Sequence, residues 1–214
     1  PRRDLLARQA AQLKLLGRGY ETNEKMIQLV NDLLNVSRIE DGRFGYRFNK
    51  ANIVETITSI VTNSAISARE HGINVNFDVP AQPIPPFVFD QEKISLALQN
   101  ITDNAIKYTP SGGSVAISIV TEEKFVKISV HDTGVGIPKI QIDRLFSKFF
   151  RAENVMHMQT SGSGLGLFIV KNIITRHGGE ISVESEENKG SMFWFTLPTD
   201  ENLIPSRDEK VAYY

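Results

Sequence analysis

The segment Asp132-Thr133-Gly134-Val135-Gly136-Ile137 decides the fold, because a carboxylate and two glycines stand where an alternating apolar pattern stops. Phe125, Ile128 and Val130 predict a buried strand that holds Asp132 at its end. An ionised carboxylate only accepts hydrogen bonds, so it suits the exocyclic amine of a purine, and close glycines let a ring or phosphate approach the backbone. A purine pocket is the hypothesis; an ordinary strand-to-loop turn is the alternative.

The composition is that of a folded globular chain. Of its 214 residues 41% are hydrophobic, enough for one medium domain and a smaller attachment. A net charge of −1 gives no electrostatic reason to expect nucleic acid or an anionic membrane. The absence of cysteine excludes disulfides and thiolate catalysis and suits a reducing cytosol. No apolar run approaches the roughly 18 residues of a membrane span. We therefore expect a cytoplasmic chain without direct membrane contact, and an anchor elsewhere in a longer parent protein stays open.

Two helical patterns open the chain and predict a hairpin over residues 1–44. Apolar residues recur at helical spacing over 4–16 and again over 21–41, and Gly17-Arg18-Gly19 separates the two runs. Neither apolar stripe has a core of its own, so we expect two copies to form a homodimer through a four-helix bundle. The alternative is that the hairpin packs back on its own domain.

Residues 45–198 predict a second domain, and 199–214 a polar tail. Helices and strands mix without regular alternation, which predicts an α/β fold, a two-layer sandwich with a mixed sheet. The helices are expected at about 53–71, 91–108, 138–150 and 164–176, and the strands at 73–79, 87–89, 114–120, 125–131, 180–185 and 192–197.

Four polar residues share one face of the helix predicted over 91–108: Asn100, Asn104, Lys107 and Tyr108. Two Asn one turn apart cost a helix stability, which suggests that they bind something. Carboxamide oxygens suit Mg²⁺, which usually binds substrate phosphates as well. Lys107 is then placed to reach a phosphate and the Tyr108 ring to cover a base, whereas Asp103 lies off this face.

A second glycine cluster, GSGLGL at residues 162–167, opens the last predicted helix. Backbone N–H groups and the helix dipole favour anions at such a place. The cluster follows no strand, and the chain has no Gly-x-x-x-x-Gly-Lys, so neither a dinucleotide fold nor a P-loop is indicated. The preceding loop carries Lys148 and Arg151, cations that would close over phosphates. A simple flexible hinge is the alternative.

Taken in order, these segments resemble the N, G1, F and G2 boxes of sensor histidine kinases. The matching stretches are NITDNAIKYT (100–109), DTGVGIP (132–138), FSKFFR (146–151) and GSGLGL (162–167). GSMF at 190–193 resembles the glycine-containing strand that follows, and LLNVSRIE at 33–40 is similar to the end of the dimerisation and phosphotransfer hairpin. The resemblance spans residues 26–197 and implies a Bergerat-type ATP-binding fold.

The resemblance further implies ATP and Mg²⁺ as cofactors and a response-regulator receiver domain as partner. Asp132 would recognise the adenine amine, and Asn104 would coordinate Mg²⁺ with Asn100 assisting. Lys107 and Arg151 would be the catalytic cations at the phosphates. The cofactor-binding residues implied in full are Asn100, Asn104, Lys107, Tyr108, Asp132, Gly134, Gly136, Ile137, Lys148, Arg151, Gly162, Gly164, Leu165, Gly166 and Leu167.

The sequence departs from the family at the phosphate acceptor. That histidine belongs on the first hairpin helix, yet the chain's histidines are His71, His131, His157 and His177. We therefore expect the chain to bind ATP without phosphorylating itself, the acceptor lying upstream of Pro1 or being absent. Two alternatives stay open, a related ATPase or serine kinase of the same fold and a catalytically dead dimeric scaffold.

Overall fold

The computed structural model describes residues 2–156 and 162–205. Its helices are α1 (Arg2–Glu40), α2 (Ile53–Glu70), α3 (Gln91–Tyr108), α4 (Glu153–Met156) and α5 (Gly166–Arg176). Its strands are β1 (Asn49–Ala51), β2 (Asn74–Asp78), β3 (Phe87–Phe89), β4 (Ser114–Thr121), β5 (Phe125–Asp132), β6 (Ile181–Glu186) and β7 (Gly190–Pro198). Short 3₁₀ helices occupy Lys139–Arg144 and Glu201–Leu203.

The first helix corrects the hairpin prediction. α1 runs unbroken through Gly17 and Gly19 for 39 residues, a length of roughly 58 Å at 1.5 Å per residue. A glycine inside a helix costs only about 1 kcal/mol, so two glycines without turn chemistry around them need not end one. Near its end, Val36 and Ile39 are buried in the core of the second domain. This end of α1 therefore contacts the second domain.

Five strands form the mixed sheet expected from the sequence, in the order β2-β4-β5-β7-β6. β2 runs parallel to β4, and the other neighbouring pairs are antiparallel. α2, α3 and α5 cover one face, and the core lies between them and that face. The opposite face carries half-buried residues such as Ser118, Ser129 and Trp194. The architecture is therefore a two-layer sandwich.

Side-chain caps fix the starts of α2 and α3. The Asn52 side chain accepts hydrogen bonds from the backbone N–H groups of Val54 and Glu55, which is one half of a capping box, and its Nδ2 donates to the Glu55 carboxylate. The Asp90 carboxylate accepts from the Lys93 N–H. This cap fixes the start of α3 at Gln91, directly after β3.

A small second sheet, which the sequence did not predict, joins β1 to β3 in antiparallel fashion. β1 has three residues and carries no alternating apolar signal. It follows Tyr46 and Phe48, whose rings lie 5.8 Å and 4.8 Å from the His177 ring at the end of α5. This aromatic cluster fastens the linker after α1 to the main domain.

The remaining differences from prediction are local. The helix expected over 138–150 is a 3₁₀ helix confined to Lys139–Arg144, and the loop expected after residue 150 contains α4. His157 and residues 206–214 of the tail lie outside the described residues. Within the described ranges, no helix has both the length and the apolar character to cross a bilayer.

Candidate functional site

One cavity of about 280 Å³ gathers most of the predicted site residues. It lies between α3, the segment after β5, the start of α5 and the last third of α1. The predicted residues that line it are Asn100, Asn104, Lys107, Tyr108, Asp132, Gly136, Ile137, Arg151, Gly162, Gly164, Gly166 and Leu167. Three other predicted residues, Gly134, Lys148 and Leu165, do not line it.

Asp132 is a buried carboxylate at one end of the cavity. It continues the inner face of β5 after Ile128 and Val130, whereas Phe125, expected on that face, is half-buried and Val126 takes its place. Its Oδ1 accepts hydrogen bonds from the backbone N–H groups of Gly134 at 2.8 Å and Ser191 at 3.2 Å.

Burial raises the pKa of Asp132, and these two backbone hydrogen bonds oppose the increase. Both donors use the same oxygen, and the described residues give Oδ2 no hydrogen-bond partner. The second oxygen is therefore left for a donor on a ligand.

The glycines after Asp132 are required by packing. A Cβ on Gly136 would lie 2.0 Å from the carbonyl oxygen of Glu186, and the residue has a positive φ of 63°. A Cβ on Gly134 would lie 2.6 Å from both Asp132 Oδ1 and the Tyr108 carbonyl oxygen. Gly134 does not line the cavity. Because it has no side chain, its N–H comes close enough to Asp132 to donate a hydrogen bond to the carboxylate.

The polar face of α3 forms one wall of the cavity. Asn100 donates from Nδ2 to the Leu96 carbonyl at 2.9 Å, which fixes the orientation of its Oδ1. A Cβ on Gly166 would lie 2.6 Å from that oxygen, so the start of α5 must be glycine to pass it. Lys107 donates to the Tyr108 hydroxyl at 2.9 Å, and its Nζ lies 4.5 Å from the centre of the Tyr108 ring.

The segment 162–166 lines the cavity beside Lys107, and we call this part of the cavity its glycine end. A Cβ on Gly162 would lie 2.9 Å from Lys107 Nζ, which places this segment beside the lysine. The Ser163 hydroxyl accepts a hydrogen bond from the Leu165 N–H at 3.2 Å, while the Leu165 side chain is fully buried below the cavity. A cation and a helix N-terminus therefore meet at this end, which favours an anionic ligand.

Lys148 lies away from the cavity. Its ammonium forms an ion pair with Glu40 of α1 and lies 4.9 Å from the centre of the Phe168 ring. The expectation that it closes over a ligand therefore gains no support from this arrangement.

Several lining residues were missed by the sequence reasoning. The apolar ones include Ala105, Leu145, Ala152, Val155 and Phe193. The polar ones are Ser163, Ser191 and Asp103, and Gln28 and Asp32 of α1. Asp103, expected off the polar face, lies at the rim and accepts a hydrogen bond from Gln99 Nε2 at 2.6 Å. No local signal marks Asp32, because only the docking of α1 brings it to the cavity.

The donor set fits Mg²⁺ held together with phosphates. Among the described residues no group of three or more His, Cys, Asp or Glu could hold a metal. Carboxamide oxygens are nevertheless hard ligands, and Mg²⁺ keeps waters and substrate phosphates in its coordination sphere. Asn100, with its Oδ1 orientation fixed, and Asn104 line the same cavity. A metal here would therefore depend on a bound phosphate for part of its ligands.

The mixed-sheet sandwich, the buried carboxylate and the glycine-opened helix define a nucleotide-binding domain. A family model described as "Histidine kinase-, DNA gyrase B-, and HSP90-like ATPase" matches residues 89–201. The chain belongs to this family.

Similar proteins and structures narrow the class. Sensor histidine kinase WalK of Bacillus subtilis is 36% identical over 188 residues, which cover 87% of this chain and 30% of WalK. Full-length ShkA in complex with AMPPNP is similar over 83% of this chain and 36% of that chain, with a TM-score of 0.73 and 28% identity. Histidine kinase ThkA in complex with response regulator TrrA has a TM-score of 0.69 at 24% identity, over 86% of this chain and 50% of that chain, and shows the fold alone. The chain thus spans less than a third of the length of WalK.

Proposed function

We propose that this chain is the ATP-binding kinase core of a two-component sensor histidine kinase. It transfers the γ-phosphoryl group of Mg·ATP to a histidine outside this chain, and the group then passes to an aspartate of a response regulator. The observation that carries the proposal is the cavity itself, with a hydrogen-bond acceptor buried at one end and Lys107 beside the glycine segment at the other. The relatives named as sensor histidine kinases support it.

The Asp132 end takes the adenine. Asp132 Oδ2 accepts a hydrogen bond from the exocyclic amine, and the Tyr108 ring lies by the base. The apolar group around Leu145, Val155 and Phe193 supplies surface for a flat ring. Binding sites of this kind are mostly apolar with a few convergent polar groups that fix orientation.

The glycine end takes the triphosphate. Asn104 and Asn100 would hold Mg²⁺, which would neutralise charge on the phosphates. Lys107 and Arg151 add positive charge, and the backbone of 162–166 presents N–H groups. Phosphoryl transfer needs positioning and charge stabilisation rather than a covalent step by the protein, and these groups provide both.

The partners follow from α1 and from the relatives. Tyr20, Ile27 and Val30 lie among its exposed apolar residues, and we propose that a second copy of the chain covers them in a homodimer. Histidine kinase ThkA is found in complex with a response regulator, and we propose a receiver domain as the partner of this chain. A cytoplasmic location fits the use of ATP and the absence of cysteine.

Calorimetry with ATP and Mg²⁺ tests the site. Asp132→Ala and Asn104→Ala should each abolish measurable binding, whereas Asp78→Ala and Asn76→Ala, on exposed positions of β2, should bind as the original chain does. Unchanged affinity in both site variants would refute the proposal.

A second assay tests the reaction. The chain is mixed with labelled ATP and a separate helical fragment that carries an acceptor histidine. Acid-labile phosphohistidine on the fragment is the expected product. Release of inorganic phosphate alone would favour a related ATPase, and neither product would favour a dimeric scaffold.

A further inference from the structure

We propose that Asp32 of α1 is a charge gate for the nucleotide: while α1 is docked, its carboxylate lies at the phosphate end of the cavity and weakens the binding of polyphosphates. The inference rests on the proposed function, because it takes the triphosphate to lie at the glycine end. The proposal adds to the site one residue, Asp32, that belongs to α1 and not to the second domain. It also implies that docking of α1 and binding of the nucleotide influence each other.

The first observation is the setting of the carboxylate. Asp32 is only 5% exposed and lines the cavity. Its Oδ2 accepts a hydrogen bond from the Ser163 hydroxyl at 2.8 Å, and its Oδ1 accepts one from Gln28 Nε2 at 2.8 Å. Both donors are neutral, and among residues 2–156 and 162–205 Asp32 forms no ion pair. The carboxylate is therefore hydrogen-bonded, and no cation of the described residues lies within ion-pair distance of it.

The second observation is what Ser163 does. Its hydroxyl accepts from the Leu165 N–H and donates to Asp32, so it ties the glycine segment to α1. Its neighbour Gly162 lies beside Lys107 Nζ. Asp32 is thus hydrogen-bonded to the short segment that presents backbone N–H groups to an anion and that lies beside Lys107 of α3. Like charges in a partly buried site repel more strongly than in water.

The third observation is a second contact of α1. Glu40 forms the ion pair with Lys148. Asp32 and Glu40 are eight residues apart, about 12 Å along the helix. Glu40 contacts Lys148 and Asp32 contacts Ser163, so the two carboxylates contact the chain on either side of residues 149–162, which include α4. Docked α1 therefore fastens both ends of this segment next to the cavity.

These contacts imply negative coupling between α1 docking and nucleotide binding. A polyphosphate that enters the cavity brings negative charge toward Asp32 and favours release of α1. Because coupling of this kind is reciprocal, release of α1 must strengthen polyphosphate binding by the same factor. Adenosine, which has no phosphate, should not respond to the charge of Asp32.

A ligand series measures the gate. Asp32→Asn keeps the size and one acceptor oxygen and removes the charge. We expect its Kd for ATP to fall about five- to tenfold, its Kd for ADP to fall less, and its Kd for adenosine to stay within about twofold. Asp41→Asn removes an exposed carboxylate just beyond α1, whose partner is Arg43, and should leave all three values unchanged.

The outcomes separate the gate from the proposed function. If the original chain binds ATP and Asp32→Asn binds it no more tightly, the gate is wrong and the ATP site stands. If Asp32→Asn strengthens adenosine as much as ATP, the effect is not one of phosphate charge and the gate is also wrong. If the original chain binds neither ATP nor adenosine, both proposals are overturned.

A cross-link provides a second test that does not rely on the Asp32 variant alone. The chain has no cysteine, so Glu40→Cys with Lys148→Cys gives a unique pair for a short bis-methanethiosulfonate reagent, which dithiothreitol removes. With α1 held docked, ATP should bind about fivefold more weakly than after reduction, and adenosine equally. Adding Asp32→Asn to the cross-linked chain should restore ATP binding. Equal ATP affinity before and after reduction would contradict the gate.

Discussion

The Nε2 atom of His177, at the end of α5, accepts a hydrogen bond from the backbone N–H of Asp90 at 3.0 Å, although 87 residues separate the two in sequence. The other ring nitrogen, Nδ1, donates to the Ile173 carbonyl at 2.7 Å. The ring is therefore neutral, with its proton on Nδ1. This contact ties the start of α3 to the end of α5, the two helices that carry the walls of the cavity.

The buried His177 makes stability depend on pH. Burial lowers its pKa from 6.5 to about 4. Between these values the unfolded chain binds a proton that the folded chain does not, so the free energy of unfolding should decrease as pH falls from about 6.5 to about 4. The full loss from this group is about 3 kcal/mol. Urea denaturation at a series of pH values measures it.

The matched variants for this prediction are His177→Phe and His71→Phe. His177→Phe removes the titrating group and should remove this part of the pH dependence, although it lowers stability at neutral pH by leaving the Asp90 N–H without its acceptor. His71 is exposed at the end of α2, and its substitution should keep the dependence. Equal slopes in all three chains would show that His177 is not the cause.

Asp132 should set the choice of base. Its Oδ1 accepts two backbone hydrogen bonds, so Asp132→Asn is expected to keep its oxygen there and turn Nδ2 toward the ligand. The original chain should prefer ATP over ITP, which has an acceptor in place of the amine, by about 100-fold, and Asp132→Asn should reduce this ratio below about tenfold. Competition against a fluorescent nucleotide measures both ligands, with Asp78→Asn as control. A ratio unchanged by Asp132→Asn would mean that the base does not contact this residue.

Acid should weaken ATP binding through the same residue. Burial holds the pKa of Asp132 above 3.8, so the carboxylate takes up a proton at a higher pH than an ordinary aspartate does. We expect ATP affinity to decrease as the pH falls and Asp132 takes up its proton. The Asp132→Asn chain lacks this titrating group and should not show the decrease. Affinity measured by calorimetry between about pH 7 and about pH 4.5 in both chains tests it. A step of equal size in the variant would assign it to another group.

Gly136 should be far less tolerant of a side chain than Gly112. Both have positive φ, 63° and 89°, but a Cβ on Gly136 would meet the Glu186 carbonyl at 2.0 Å, whereas nothing lies within 4 Å of one on Gly112. Gly112→Ala should cost about 1 kcal/mol from backbone strain alone, and Gly136→Ala about 3 kcal/mol or more because β6 must also shift. Chemical denaturation gives both values. Similar costs would mean that the contact with Glu186 is relieved at no cost.

The continuity of α1 can be tested at its glycines. Nothing lies within 4 Å of a Cβ on Gly17 or Gly19, and neither has a positive φ. In a continuous helix, Gly17→Ala and Gly19→Ala should each stabilise by up to about 1 kcal/mol and raise the helical signal in circular dichroism. If these glycines instead formed the turn of a hairpin, the same changes would reduce both quantities.

The sequence predicts the fold and most of the site because their signals are local. The Asn100 and Asn104 spacing marks one face of α3, and Asp132 stands at the end of an alternating strand. The expected sandwich fold is confirmed, and the chain is similar in sequence to proteins named sensor histidine kinases, as its motifs predicted. The roles of individual residues in binding remain predictions.

Two kinds of feature could not be predicted from the sequence. Gly17 and Gly19 do not reveal whether a helix ends, because context decides whether a glycine breaks it. Asp32 contacts Ser163 across 131 positions of sequence, and Lys148 is drawn to Glu40 instead of the cavity. Both contacts depend on where α1 docks, which no local pattern encodes.

The unbroken course of α1 has a mechanical consequence. One stiff rod carries Val36 and Ile39 in the core of the ATPase domain and extends without a joint to its far end. Asp32 lies on this same helix, so the carboxylate at the cavity and the distant end of α1 are connected without an intervening loop.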